Sequence, residues 1–193
     1  MFLNVPFDAE YAPLFLALIA GLTALGRTPH CVLEVPGGSR NRLERIFSLM
    51  ESCDASIHDL SRITLSSPQD VPRFNMPFEL GMAYALARKS PHDFFVLEEK
   101  PFRLQVSLSD LNGHDPHIHD CTPNGILRCL LDCLGTPSGA PSMADLEELT
   151  RQLAESASKI QQEMRLTGPF HPYIFRRLIL AASEISKYQN LIQ

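Results

Sequence analysis

Ala55-Ser-Ile-His-Asp-Leu60, Asn75-Met-Pro-Phe-Glu-Leu-Gly-Met-Ala-Tyr-Ala-Leu-Ala-Arg88 and Phe94-Phe-Val-Leu97 follow one another in the middle of the chain. The first and third are short, nearly continuous apolar runs. Strands buried on both faces of a parallel sheet read this way. The segment between them is helical by composition. Asn75 is placed to cap it and Pro77 falls inside its first turn, where proline is tolerated. Gly81 and Ala83 are small enough to let this helix approach a sheet closely. Strand, helix and strand in this order make a crossover unit, which is right-handed by rule.

The same alternation extends outward. Residues 2–5 read as a strand ended by Pro6, with Pro6-Phe7-Asp8 as the turn. Residues 11–25 carry Leu14, Phe15, Leu18, Ile19, Leu22 and Leu25 at helical spacing, and Gly26 is a helix stop. Residues 30–35 read as a second strand, closed by Pro36-Gly37-Gly38-Ser39. Residues 41–53 read as a helix with Leu43, Ile46, Phe47, Leu49 and Met50 inward, and residues 124–134 as another. A polar loop with Pro68 and Pro72 covers residues 61–74. The pattern between residues 102 and 120 is weak. Alternation at this spacing predicts an α/β domain with a doubly wound parallel sheet of four or five strands over residues 1–135.

Residues 136–142 have linker composition. Beyond them Leu146, Leu149, Leu153, Ile160 and Met164 form one narrow stripe, broken at Gly168-Pro169. Ile174, Leu178, Ala181, Ile185, Tyr188 and Ile192 form a second. Residues 143–193 therefore read as a helical hairpin. It either packs back on the α/β domain or serves as an arm for homo-oligomers.

Composition bounds the function. The chain has 193 residues, 45% hydrophobic and 20% charged, with a formal net charge of −5. That is too apolar for disorder and too acidic for an extended nucleic-acid surface. Its longest apolar stretch is far short of a membrane span. The amino terminus lacks the basic and apolar regions of a signal peptide, and five irregularly spaced cysteines suit a reducing compartment. A cytoplasmic protein is expected, with no membrane partner. Cys129 and Cys133 sit four apart on an apolar helix and read as core.

Ligands of open parallel sheets bind beyond the carboxyl ends of the strands. That rule gathers Asn4, Phe7 and Asp8 from the first strand, Glu34 from the second, and His58, Asp59, Ser61 and Arg62 from the third. Glu98 and Glu99 come from the fourth, and Arg73, Asn75 and Glu79 from the helix after the third. Glu79 reads as lying in the first turn of its helix, where its carboxylate would enter the crevice. It either complements the helix dipole or works on an electron-poor sugar carbon. Arg62 and Arg73 suit phosphate. Gly37-Gly38 lacks the spacing of a dinucleotide fingerprint and the lysine of a P-loop, so no cofactor is expected. His114, His117, His119 and Cys121 are metal-capable, and alternation would put His117 and His119 on one face. With no second ligand cluster, no metal is expected.

Phe78-Glu79-Leu80-Gly81-Met82-Ala83 after a rim loop resembles the glutamate segment of nucleoside 2-deoxyribosyltransferases, and equally the glutamate-bearing helix of TIR domains. Phe2-Leu-Asn-Val-Pro-Phe-Asp8 resembles their first strand and loop, and Ser56-Ile-His-Asp59-Leu-Ser-Arg62 their third strand. The resemblance covers residues 1–135. It implies a flavodoxin-like domain acting on the N-glycosidic bond of a nucleoside, a nucleotide or NAD. Glu79 would then be the catalytic glutamate and Asp59 an acid near the base or sugar. Asn4, Phe7, Asp8, Ser61, Arg62, Arg73 and Asn75 would line the substrate pocket. The transferases carry an aspartate and a Gly-Thr pair before the glutamate segment; here Arg73-Phe74-Asn75-Met76-Pro77 stands there. That departure keeps hydrolysis open beside transfer. It also keeps open a non-catalytic module that senses a nucleotide or self-assembles.

Overall fold

The computed structural model describes residues 1–34, 41–63, 73–135 and 141–192. Five parallel strands, β1 (Phe2–Asn4), β2 (His30–Cys31), β3 (Ala55–Asp59), β4 (Asp93–Glu98) and β5 (His117–Ile118), form one sheet in the order β2-β1-β3-β4-β5. This is the strand order of the flavodoxin-like fold, with its switch point between β1 and β3. Among the described residues seven α-helices accompany the sheet: α1 (Ala12–Ala24), α2 (Arg42–Glu51), α3 (Asn75–Ala87), α4 (Arg103–Ser107), α5 (Pro123–Leu134), α6 (Met143–Met164) and α7 (Pro172–Tyr188).

Strand alternation sorts the core. Leu3, Ile57 and Leu97 point to the side of α1 and α5. Phe2 packs with Ile46, Met50 and Ala83 of α2 and α3 on the other side, and Val96 with Leu80 and Leu104 of α3 and α4. The side of α1 carries a further layer, because α6 and α7 lie over α1 and share its core. Leu146, Leu149, Leu153, Ile174, Phe175 and Leu178 are fully buried there. The hairpin stripe is thus covered within the chain, the first of its two alternatives. Its outer ends are not: Met164 and Tyr188 are exposed. α1 is consequently enclosed almost all round rather than along a stripe; from Ala17 to Ala24 every residue is buried.

Side chains fix the helix starts. Thr122 accepts from the Gly125 amide with Pro123 in the first position, and Ser142 and Asp145 form a reciprocal capping box. The Gly125 position is tight. A Cβ there would collide with the His119 carbonyl and the Asp120 carboxylate, which seats α5 directly on the end of β5.

Some elements depart from their sequence reading. β2 has only two residues, because Val32–Glu34 turn into a 3₁₀ segment. Residues 35–40, with the Gly37-Gly38 loop, lie outside the described residues. So do residues 64–72, with Pro68 and Pro72, and residues 136–140 of the linker. Asn75 is the first helical residue of α3 rather than its cap. Phe74 holds the cap position without a side-chain bond, so Glu79 falls in the second turn. Met76, Leu80, Ala83 and Leu86 form the buried face of α3, while Phe78 is exposed. Gly81 is exposed too and makes no close approach to anything. Leu43 of α2 is likewise exposed. No helix among the described residues is long and apolar enough to cross a membrane.

Candidate functional site

A pocket of about 310 Å³ opens at the carboxyl end of β1, beside the switch point. The exit of β1 supplies Asn4 and Phe7, α3 supplies Asn75 and Glu79, and Arg73 precedes α3. Five of the residues selected from sequence therefore meet in one cavity. Arg42 joins them from the first position of α2. Sequence reasoning passed over it, although it follows the Asn41 cap in the loop leaving the second strand, where the strand-end rule applies.

Glu79 is 9% exposed. Burial pushes its carboxyl up to about 7, although the charge of Arg42 and a hydrogen bond from Asn75 both favour ionisation. Near neutral pH it therefore exists in both forms, as a carboxylate nucleophile or as a proton donor. It is the one carboxylate lining the pocket among the described residues.

Asn4 is held from behind. Its Nδ2 donates to the Met76 carbonyl at 2.9 Å and to His58 Nδ1 at 3.0 Å. With that nitrogen accepting, His58 Nε2–H donates to Ser56 Oγ at 2.9 Å. Ser56 in turn donates to His92 Nε2 at 2.9 Å, and His92 Nδ1–H to the Cys53 carbonyl at 2.9 Å. Every member of this chain is buried, and burial lowers His58 to about 3, so it stays neutral.

Four selected residues lie elsewhere. Asp59 is fully buried and accepts from the Tyr11 hydroxyl, from the Ser61 amide at 2.8 Å, and from His119 Nε2 at 3.2 Å. These donors outweigh desolvation and hold its carboxyl below the usual range. The Asp59 charge favours a proton on His119, yet His119 Nδ1 accepts the Cys121 amide at 3.1 Å, which fixes the ring proton on Nε2. Asp59 thus ties the end of β3 to the residue just ahead of α1 and the residue just after β5, and does not line the pocket. Ser61 completes that turn; its side-chain hydroxyl is buried. Asp8 caps the Tyr11 amide and binds Arg62 at 3.1 Å and Arg73 at 3.0 Å. Arg62 also meets Glu10 at 2.7 Å, so Asp8 and Arg62 form a clasp at the pocket's edge rather than its lining.

Two further rim acids, Glu98 and Glu34, are engaged as well. Glu98 is buried in an ion pair with Arg103, and Glu34 meets His30 at 2.9 Å. His117 and His119 do not share a site. His119 is buried under Asp59, whereas His117 lies against Phe95. No three metal-capable side chains cluster among the described residues. No protein-family model, curated protein or solved structure matches the chain.

Proposed function

We propose that the protein cleaves the N-glycosidic bond of a nucleoside, a nucleotide or NAD, with Glu79 as its catalytic group. The observation that carries this reading is Glu79 itself: a carboxyl raised to about 7, nine-tenths buried, in a strand-end pocket beside the switch point. Such a group can stabilise or attack an anomeric carbon as it gains positive charge. As the C1′–N bond breaks, the base leaves with the bonding electron pair. Ionised Glu79 bonds to C1′ or screens its charge. Water then adds at C1′; one of its protons goes to the departed base of a nucleoside or nucleotide, or to solvent where neutral nicotinamide leaves NAD, and the carboxylate is regenerated. Phe7, packed edge-on against Phe15 at 6.0 Å, offers the pocket an apolar wall beside which a ring can sit. Asp59, taken from the resemblance as a second acid, is a positioning residue in this mechanism.

Incubation with NAD, ATP and nucleosides, followed by chromatography, tests the proposal. Free base is expected from at least one of them, and Glu79→Gln should reduce its release by at least about a hundredfold. No free base, or release unchanged in Glu79→Gln, overturns it.

A further inference from the structure

The pocket's polar lining is unequal in charge. Arg42 has no ion-pair partner among the described residues, and Arg73 shares only Nη1 with Asp8. Both sit at helix starts, Arg42 in the first position of α2 and Arg73 just ahead of α3. Two helices of 10 and 13 residues thus bring the positive ends of their dipoles to one cavity. The facing acid, Glu79, is buried.

Asn4 adds direction. A carbonyl oxygen only accepts, so the nitrogen of the Asn4 amide must face Met76 O, and its second N–H is taken by His58. Both donors are used, and the Asn4 oxygen has no hydrogen-bond partner among the described residues. Asn4 is 4% exposed and lines the cavity. The His58–Ser56–His92 chain prevents the amide from turning over, because a flip would set Asn4 Oδ1 against both Met76 O and the unprotonated His58 Nδ1.

From this we infer that the pocket selects a phosphorylated ligand, its anion held by Arg42 and Arg73 and a hydroxyl or amino donor of the same molecule held by Asn4 Oδ1. This rests on the same pocket as the proposed glycosidase and narrows its substrate to nucleoside phosphates over free nucleosides. Phe7 and the exit of β1 receive the uncharged part.

Calorimetry on the full chain with inorganic phosphate, ribose 5-phosphate, AMP and adenosine tests it. AMP is expected to bind at least about tenfold more tightly than adenosine, since one charged hydrogen-bonded contact supplies that much. The advantage should shrink with added salt and should largely vanish in Arg42→Ala/Arg73→Ala. Both positions are accessible to solvent, so the variant should keep the wild-type melting midpoint. Ribose 5-phosphate should bind more tightly than inorganic phosphate, and Asn4→Ser should erase that difference. Equal binding of AMP and adenosine, an advantage indifferent to the two arginines, or no binding at all overturns the inference. Ribose 5-phosphate no tighter than phosphate on the wild-type chain overturns the Asn4 assignment without recourse to a variant. AMP binding with no base released from AMP, ATP, NAD or nucleosides leaves this inference standing and removes the glycosidase. Base release from adenosine as fast as from AMP does the reverse.

Discussion

At the scale of single residues, Glu79 sets a cost that the fold carries. Its carboxyl stands near 4.5 in an unfolded chain and about 7 in the folded one. The native state therefore binds the extra proton between those values. The stabilisation is complete below pH 4.5 and is lost as pH rises through 7. The difference is on the order of 3 kcal/mol. Glu79→Gln, which cannot ionise, should melt at a higher temperature than wild type at pH 8 and close to it at pH 5. Thermal melts at both values check this.

Asp59 behaves in the opposite sense. Its carboxyl is depressed in the folded state, so its contribution is present above the ordinary carboxylate range and lost as pH falls through the folded value. Asp59→Ala leaves the Tyr11 hydroxyl and His119 Nε2 without their buried acceptor. It should cost about 3–5 kcal/mol in denaturant titrations. The position of Glu79 at the rim was legible in the sequence because strand ends and helix starts are. The position of Asp59 was not. Acids at a strand end look alike until Tyr11 and His119, far off in sequence, are seen to converge on one of them. Arg62 and Asp8 misled for the same reason: their pairing is tertiary.

At the scale of elements, two glycines in helices have opposite meanings. Gly81 is exposed on α3, with nothing near the place a Cβ would occupy, so Gly81→Ala should stabilise the protein by about 0.5–1 kcal/mol. Gly125, in the first turn of α5, has the end of β5 against it. Gly125→Ala should destabilise by about 1–3 kcal/mol and loosen His119 from Asp59. Paired chemical melts of the two variants measure the contrast. Strands β1, β3 and β4 could be located from their apolar runs, which the sheet buries on both faces. β5 could not, since two residues at a sheet edge carry no period. β2 was read too long, because Val32 and Leu33 are apolar in a 3₁₀ turn for the same reason they would be in a strand: both pack against the core.

At the scale of the whole molecule, the hairpin decides how the rest holds together. Its stripes are period-perfect in the sequence, but periodicity names a buried face without naming its neighbour. The neighbour is α1: Phe15 stacks on Phe175 at 5.6 Å and lies 5.1 Å from Phe170, just ahead of α7. A chain ending at Gly135 would expose the outer side of α1 to water. It should lose cooperative unfolding and aggregate, whereas the full chain should unfold in a single transition. Circular dichroism melts and light scattering of the two chains test this.

The same contact has a bearing on biosynthesis. The aromatic rings that cover α1, Phe170 and Phe175, are synthesised roughly 160 residues after Phe15. At typical elongation speeds the interval is roughly ten to thirty seconds. During that time the outer side of one of the most apolar helices of the chain has no permanent cover. The nascent protein must either shelter α1 in a provisional collapse with the sheet or hand it to a holdase. The ribosome, rather than the native state, is where this architecture is most vulnerable.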